Sequence, residues 1–257
     1  MRRLIAFACA GERLLGTLDK ASGETGLLIV SGGNEVRSGA HRGMALLAQR
    51  LAKAGVPVFR FDRRGVGDSS GENSGFLSAA PDIAAAAATF TAETGLRRLV
   101  AFGNCDAATA LALFGECAGI DRLILANPWV TAGGGDLPPA AAIRARYAAA
   151  LRTPKEWLRL ATGGVSLGKV AKGLRKVARA PAPEEGALAA RLIAALHGWG
   201  ARSAILLARG DATAIAYRHA TKDAGLIAPV AMLDSASHSF ALPGDDDWLL
   251  EQILAAL

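Results

Sequence analysis

Six short, almost unbroken apolar runs constrain this chain more than any other feature. They lie at residues 26–30, 56–61, 98–102, 121–126, 203–208 and 229–233. A strand with one wet face alternates apolar and polar residues. A run without alternation is what a strand buried on both faces requires. The segments between the runs read as helices over 41–54, 81–93, 106–118, 187–197, 213–224 and 246–256, punctuated by Gly and Pro at their ends. This alternation predicts a mainly parallel central sheet with helices on both faces, an α/β architecture. The N-terminus departs from the pattern. Residues 3–9 and 13–18 flank Ala10-Gly11-Glu12 and predict an antiparallel hairpin.

Parallel sheets gather their working loops at the carboxyl ends of their strands. Three of these ends carry reactive side chains. After the run at 98–102 comes Gly103-Asn104-Cys105-Asp106-Ala107, which matches a strand-to-helix turn that exposes a nucleophile, with sulfur as the nucleophile and Ala107 in place of a second glycine. Arg209-Gly210-Asp211 follows the run at 203–208, and Ser237-His238-Ser239 follows the run at 229–233. The order nucleophile, acid, histidine is a recognised triad order. In it, Cys105 attacks an acyl carbonyl, His238 moves the thiol proton, and Asp211 orients and stabilises the imidazole. Negative charge developing on the carbonyl oxygen needs N–H donors. Asp106 supplies one from its backbone, and Gly33 or Asn34, in the loop Ser31-Gly32-Gly33-Asn34, supplies the other.

Each group has a plainer reading. Asp211 also fits a helix N-cap, and Asp234 is a weaker candidate acid on the histidine loop. Cys9 and Cys117 sit in apolar segments and read as packing residues, whereas His41, His197 and His219 read as surface or packing residues. Asn34, Glu35 and Arg37 are polar groups at the expected mouth of the site, placed to select a substrate or to pair with one another. The string Phe61-Asp62-Arg63-Arg64-Gly65-Val66-Gly67-Asp68-Ser69-Ser70-Gly71 reads as a tight loop supporting the oxyanion loop, with Asp62 and Arg64 able to pair locally. The Gly32-Gly33 loop lacks the third glycine of a dinucleotide-binding turn. The cysteines have no metal-ligand spacing. No cofactor or metal is expected.

Residues 131–186 interrupt the strand–helix rhythm and predict an inserted helical cap on a core formed by 1–130 and 187–257. Between Leu137 and Ala180 stand ten Lys or Arg residues and one acid, +9 in a chain of net +6, which leaves −3 for the remainder. Such a segment is a solvated face or a docking surface for an anion such as a lipid headgroup or a phosphopantetheine carrier. It lacks the interleaved aromatics of a nucleic-acid binder. No run approaches the length of a membrane span, and the N-terminus lacks a signal-peptide pattern. The chain reads as cytoplasmic, with a peripheral inner-membrane contact available through the cap.

The strings Phe61 to Gly71, Gly103 to Ala107, Arg209 to Asp211 and Ser237 to Ser239 together resemble α/β-hydrolases. More narrowly, the cysteine elbow, the loop from Ser31 to Gly39 and the basic cap resemble the exosortase A system-associated hydrolase 1 family, encoded with bacterial exopolysaccharide and exosortase clusters. The resemblance implies an α/β-hydrolase fold with Cys105, Asp211 and His238 in the triad positions. The expected activity is hydrolysis of an ester or thioester through a covalent acyl-enzyme, on a small acyl substrate that is anionic or carrier-linked. The alternatives are acyl transfer by the same triad, or a non-catalytic binding protein on a hydrolase scaffold.

Overall fold

The computed structural model describes residues 1–131 and 183–257. The cap, with its basic charge, therefore lies almost wholly outside the described residues. The strands are β1 (Arg2–Cys9), β2 (Glu12–Asp19), β3 (Thr25–Val30), β4 (Val58–Phe61), β5 (Arg98–Asn104), β6 (Arg122–Ala126), β7 (Ser203–Ala208) and β8 (Val230–Leu233). They form one 8-stranded sheet in the order β1-β2-β4-β3-β5-β6-β7-β8. The hairpin β1–β2 and the β2–β4 pair are antiparallel, and every other pair is parallel.

In β3 to β7 the apolar runs are explained by what covers each face, whereas β8, at the sheet edge, leaves Val230 and Met232 exposed. Helix α1 (Gly43–Lys53) and the C-terminal α6 (Asp245–Ala256) pack on one side. Helices α2 (Ala80–Thr94), α3 (Asp106–Phe114), α4 (Pro183–Trp199) and α5 (Ala212–Thr221) pack on the other. Along β3, Leu27 and Ile29 enter the first core while Leu28 and Val30 enter the second. The same alternation runs through β6, where Leu123 and Leu125 oppose Ile124 and Ala126. Within the second core, Phe59 stacks on Phe90 with ring centroids 5.6 Å apart.

Two helix ends differ from expectation. α3 stops at Phe114 because the carbonyl of Gly115 accepts from the N–H groups of both Ala118 and Ile120, which closes a turn in place of a further helical turn. α4 begins at Pro183, within the segment assigned to the cap; proline at the first helical position gives up no hydrogen bond.

Candidate active site

The loops after β3, β5, β7 and β8 meet above the carboxyl end of the sheet. Cys105 stands between β5 and α3 with φ 63° and ψ −126°. That backbone conformation costs a non-glycine residue about 1–3 kcal/mol. Two hydrogen bonds hold it, from the Cys105 N–H to the Ala126 carbonyl at 3.0 Å and from the Trp129 N–H to the Cys105 carbonyl at 3.2 Å. The elbow has room for no more than a hydrogen at its leading glycine. A Cβ on Gly103 would lie 2.9 Å from the Ala107 carbonyl carbon. Ala107, where the pattern has a second glycine, points its methyl into the core and is accommodated without a clash.

Asp211 and His238 are brought together by the adjacent parallel strands β7 and β8. His238 Nδ1 lies 3.0 Å from Asp211 Oδ1. The other carboxylate oxygen, Oδ2, accepts from the N–H groups of Thr213 and Ala214, each at 3.0 Å. Asp211 is thus both the N-cap of α5 and the partner of the imidazole, so the two readings of this residue coexist. Burial works to raise its carboxyl, but the hydrogen bond and charge of His238 and the two backbone donors outweigh burial and hold it below its usual range. His238 is pushed up to about 10 by its hydrogen bond to Asp211 and then by one to Cys105, with their charges adding and burial opposing. The value belongs to the coupled array of sulfur, imidazole and carboxylate.

The histidine loop is pinned by groups the sequence reading passed over. The Asn104 side-chain amide donates to the His238 carbonyl at 2.9 Å, and that of Asn127 donates to the same carbonyl at 3.2 Å. Asn127 is fully buried, and its Oδ1 accepts from the Ala208 N–H at 2.9 Å. One asparagine at the end of β6 therefore ties the acid strand to the histidine loop. Its only sequence signal was the Asn127-Pro128 break after a strand. Ser235 adds a hydrogen bond to Asp245 at 2.6 Å, which anchors the same loop to the start of α6.

Several expectations need correction. Asp234 faces solvent, 95% exposed, and only approaches Arg209, so it does not take the place of Asp211 beside His238. Arg37 does not line the mouth. It turns inward to ion-pair with fully buried Asp62 and with Asp68, because Asp62 is a buried carboxylate that must be compensated. Arg64 pairs with Asp82 instead of Asp62. Cys117 is exposed instead of packed. Cys9 is buried, and its thiol is pushed up to about 11, first by that burial and then by Asp82. Gly33, expected as a free oxyanion donor, donates its N–H to Asp106 Oδ1 at 2.8 Å. Asn34 and Glu35 do line the cleft, where Asn34 accepts from the Asn73 side chain and Glu35 from the Ala40 N–H. The loop after β4 supports the oxyanion loop: Arg63 donates to the Gly33 carbonyl, and Asp62 accepts from the Arg37 N–H at 2.6 Å.

Above Cys105 and His238 opens a cleft of about 760 Å³. Phe76, Leu77, Trp129 and Leu188 give it apolar walls, and Arg191 and Glu35 bring charge to it. Among the described residues, no cluster of His, Cys, Asp or Glu is arranged to hold a metal ion, and no helix is long and apolar enough to cross a membrane.

Comparison with known proteins agrees with this architecture. The chain is similar in fold to the α/β hydrolase GrgF from Penicillium sp. sh18 (TM-score 0.67, 14% identity, covering 100% of this chain and 97% of that one). It is also similar to the Pyrococcus furiosus esterase Pf2001 (TM-score 0.63, 14% identity, 100% and 90%) and to a thioesterase domain from the curacin biosynthetic pathway (TM-score 0.62, 14% identity, 99% and 99%). No curated protein sequence matches the chain. The family model for serine aminopeptidase, S33, matches residues 25–223, from the first parallel strand to the end of α5. With that match spanning most of its length, the chain belongs to the serine aminopeptidase S33 family of α/β-hydrolases, and it carries a cysteine at the elbow.

Proposed function

We propose that this hydrolase cleaves an ester or thioester by covalent catalysis, with Cys105 as nucleophile, His238 as general base and acid, and Asp211 as the group that orients the imidazole. The observation that carries the reading is the 3.0 Å contact of His238 with Asp211 on the loop facing the strained Cys105 elbow. In the first half-reaction, Sγ bonds to the acyl carbon and the thiol proton resides on His238. Collapse of the tetrahedral intermediate expels the alcohol or thiol, which takes that proton. In the second, His238 accepts a proton from water as the water attacks the thioester, and Cys105 leaves with the proton restored. The start of α3 places its positive end at the elbow, where negative charge develops on the acyl oxygen.

The apolar walls of the cleft suit an acyl chain. We further propose that the physiological substrate belongs to bacterial exopolysaccharide systems, as the resemblance of the cysteine elbow and the Ser31–Gly39 loop implies, and that the basic segment at 137–180 meets an anionic or carrier-linked group. Thiol alkylation tests the proposal. Iodoacetamide at neutral pH should modify Cys105 faster than exposed Cys117, and His238→Ala should abolish the difference. Modification of Cys105 no faster than Cys117 would remove the case for an activated sulfur.

A further inference from the structure

The residue after the nucleophile brings a negative charge to the place where another must form. Asp106 opens α3, so its backbone N–H lies at the position of an oxyanion donor. Its side chain, however, crosses to the loop after β3 and takes the Gly33 N–H at 2.8 Å. The contact is built into the chain at two further points. A Cβ on Gly32 would sit 2.5 Å from Asp106 Oδ1 and 2.9 Å from the Asn104 carbonyl oxygen, so only glycine lets the loop and the carboxylate come this close. On the far side, nearly buried Arg63 donates to the Gly33 carbonyl, while Gly33 itself turns at φ +52°. Gly33 is therefore held at both its N–H and its carbonyl, and the element with freedom to move is the Asp106 side chain, which is partly open to the cleft.

We propose that Asp106 is a positioning residue for the acyl-transfer reaction: its carboxylate latches the Gly33 N–H in the resting site, and that donor reaches an acyl oxygen only when the carboxylate swings away. This rests on the proposed function above. A carboxylate and an oxyanion compete for the same N–H, and two negative charges brought to one donor repel each other. The latch keeps the loop aligned before substrate arrives. It also makes binding of the tetrahedral state depend on displacing an internal anion.

An aliphatic aldehyde tests this directly. Its carbonyl carbon bonds to Cys105 Sγ, the thiol proton passes to His238 and stays there, and the carbonyl oxygen sits at the donors as an anion. The hemithioacetal should form at least tenfold more tightly in Asp106→Ala than in the wild type, and more tightly also in Asp106→Asn, which keeps an acceptor but loses the charge. Binding of the corresponding alcohol should be unchanged. With an aryl ester, the acylation rate of Asp106→Ala should rise while KM stays level. The Gly33 amide, followed by nitrogen-15 NMR, should lose protection from exchange in Asp106→Ala. Equal or weaker aldehyde affinity in Asp106→Ala, with the adduct lost in Cys105→Ala, would overturn the latch alone and leave the catalytic reading standing. An adduct that survives Cys105→Ala, or no adduct in any of these proteins, would overturn both.

Discussion

Asp211 shows how one side chain serves structure and chemistry through different atoms. Its Oδ2 caps α5 and its Oδ1 holds His238. Substitutions separate the two roles. Asp211→Asn keeps a capping oxygen but loses the charge that faces the imidazole, so kcat/KM should fall by about 10²–10⁴-fold with little loss of stability. Asp211→Ala should show a similar loss of activity and, in addition, a loss of about 1 kcal/mol in stability from the missing cap. Steady-state kinetics beside urea unfolding would read both. The meeting of Cys105, Asp211 and His238 at one end of the sheet was legible because each follows a strand. The Asp106–Gly33 contact was not, since it depends on the Val30–Gly103 register that sets the ends of β3 and β5 side by side. The role of Asn127 was hidden for the same reason.

Among the elements, the central strands β3 to β7 were the most legible, because two-sided burial forces an apolar residue at nearly every position. Helix ends were less so: α3 ends through the turn around Gly115, and no periodicity announces that turn. The loop after β4 was legible as a support but not in its pairings. Asp62 and Arg64 stand two apart and invite a local pair. The structure instead surrounds Asp62 with Arg37 and the Asp68 N–H, while Arg64 is drawn to Asp82. Removing Asp62 would leave the Arg37 guanidinium, itself only 16% exposed, without its buried partner. Asp62→Ala should therefore cost about 3–5 kcal/mol in stability, measured by chemical unfolding. It should also lower activity, because Asp62 holds Arg37 in the oxyanion loop and the adjacent Arg63 holds the Gly33 carbonyl of that loop. A control substitution at exposed Glu24, whose pair with Arg97 is open to solvent, should change stability by less than about 1 kcal/mol.

At the scale of the whole molecule, the parallel sheet turns residues far apart in sequence into neighbours. Cys105 and His238 are separated by about half of the chain, yet they converge because β5, β6, β7 and β8 run side by side in the same direction. That convergence has a thermodynamic signature. His238 has a folded value raised to about 10 against 6.5 in the unfolded chain. Between these two values the folded state holds a proton the unfolded state has released, so stability falls as pH rises through this window. The contribution is complete below 6.5 and gone above about 10. Thermal unfolding across that range should show a declining Tm in the wild type and a flatter profile in His238→Ala. The lowered Asp211 acts at the other end, adding stability that is lost as pH falls below the usual carboxylate range.

Covalent catalysis at this site requires acyl transfer to one sulfur. Mixing the protein with an acyl thioester, quenching within milliseconds and mapping the peptides by mass spectrometry would show whether it occurs. The predicted result is one acyl group on the peptide that carries Cys105, gained before product accumulates and absent in Cys105→Ala. Product release with no acyl group on Cys105 at any time, or turnover that persists in Cys105→Ala, would contradict it.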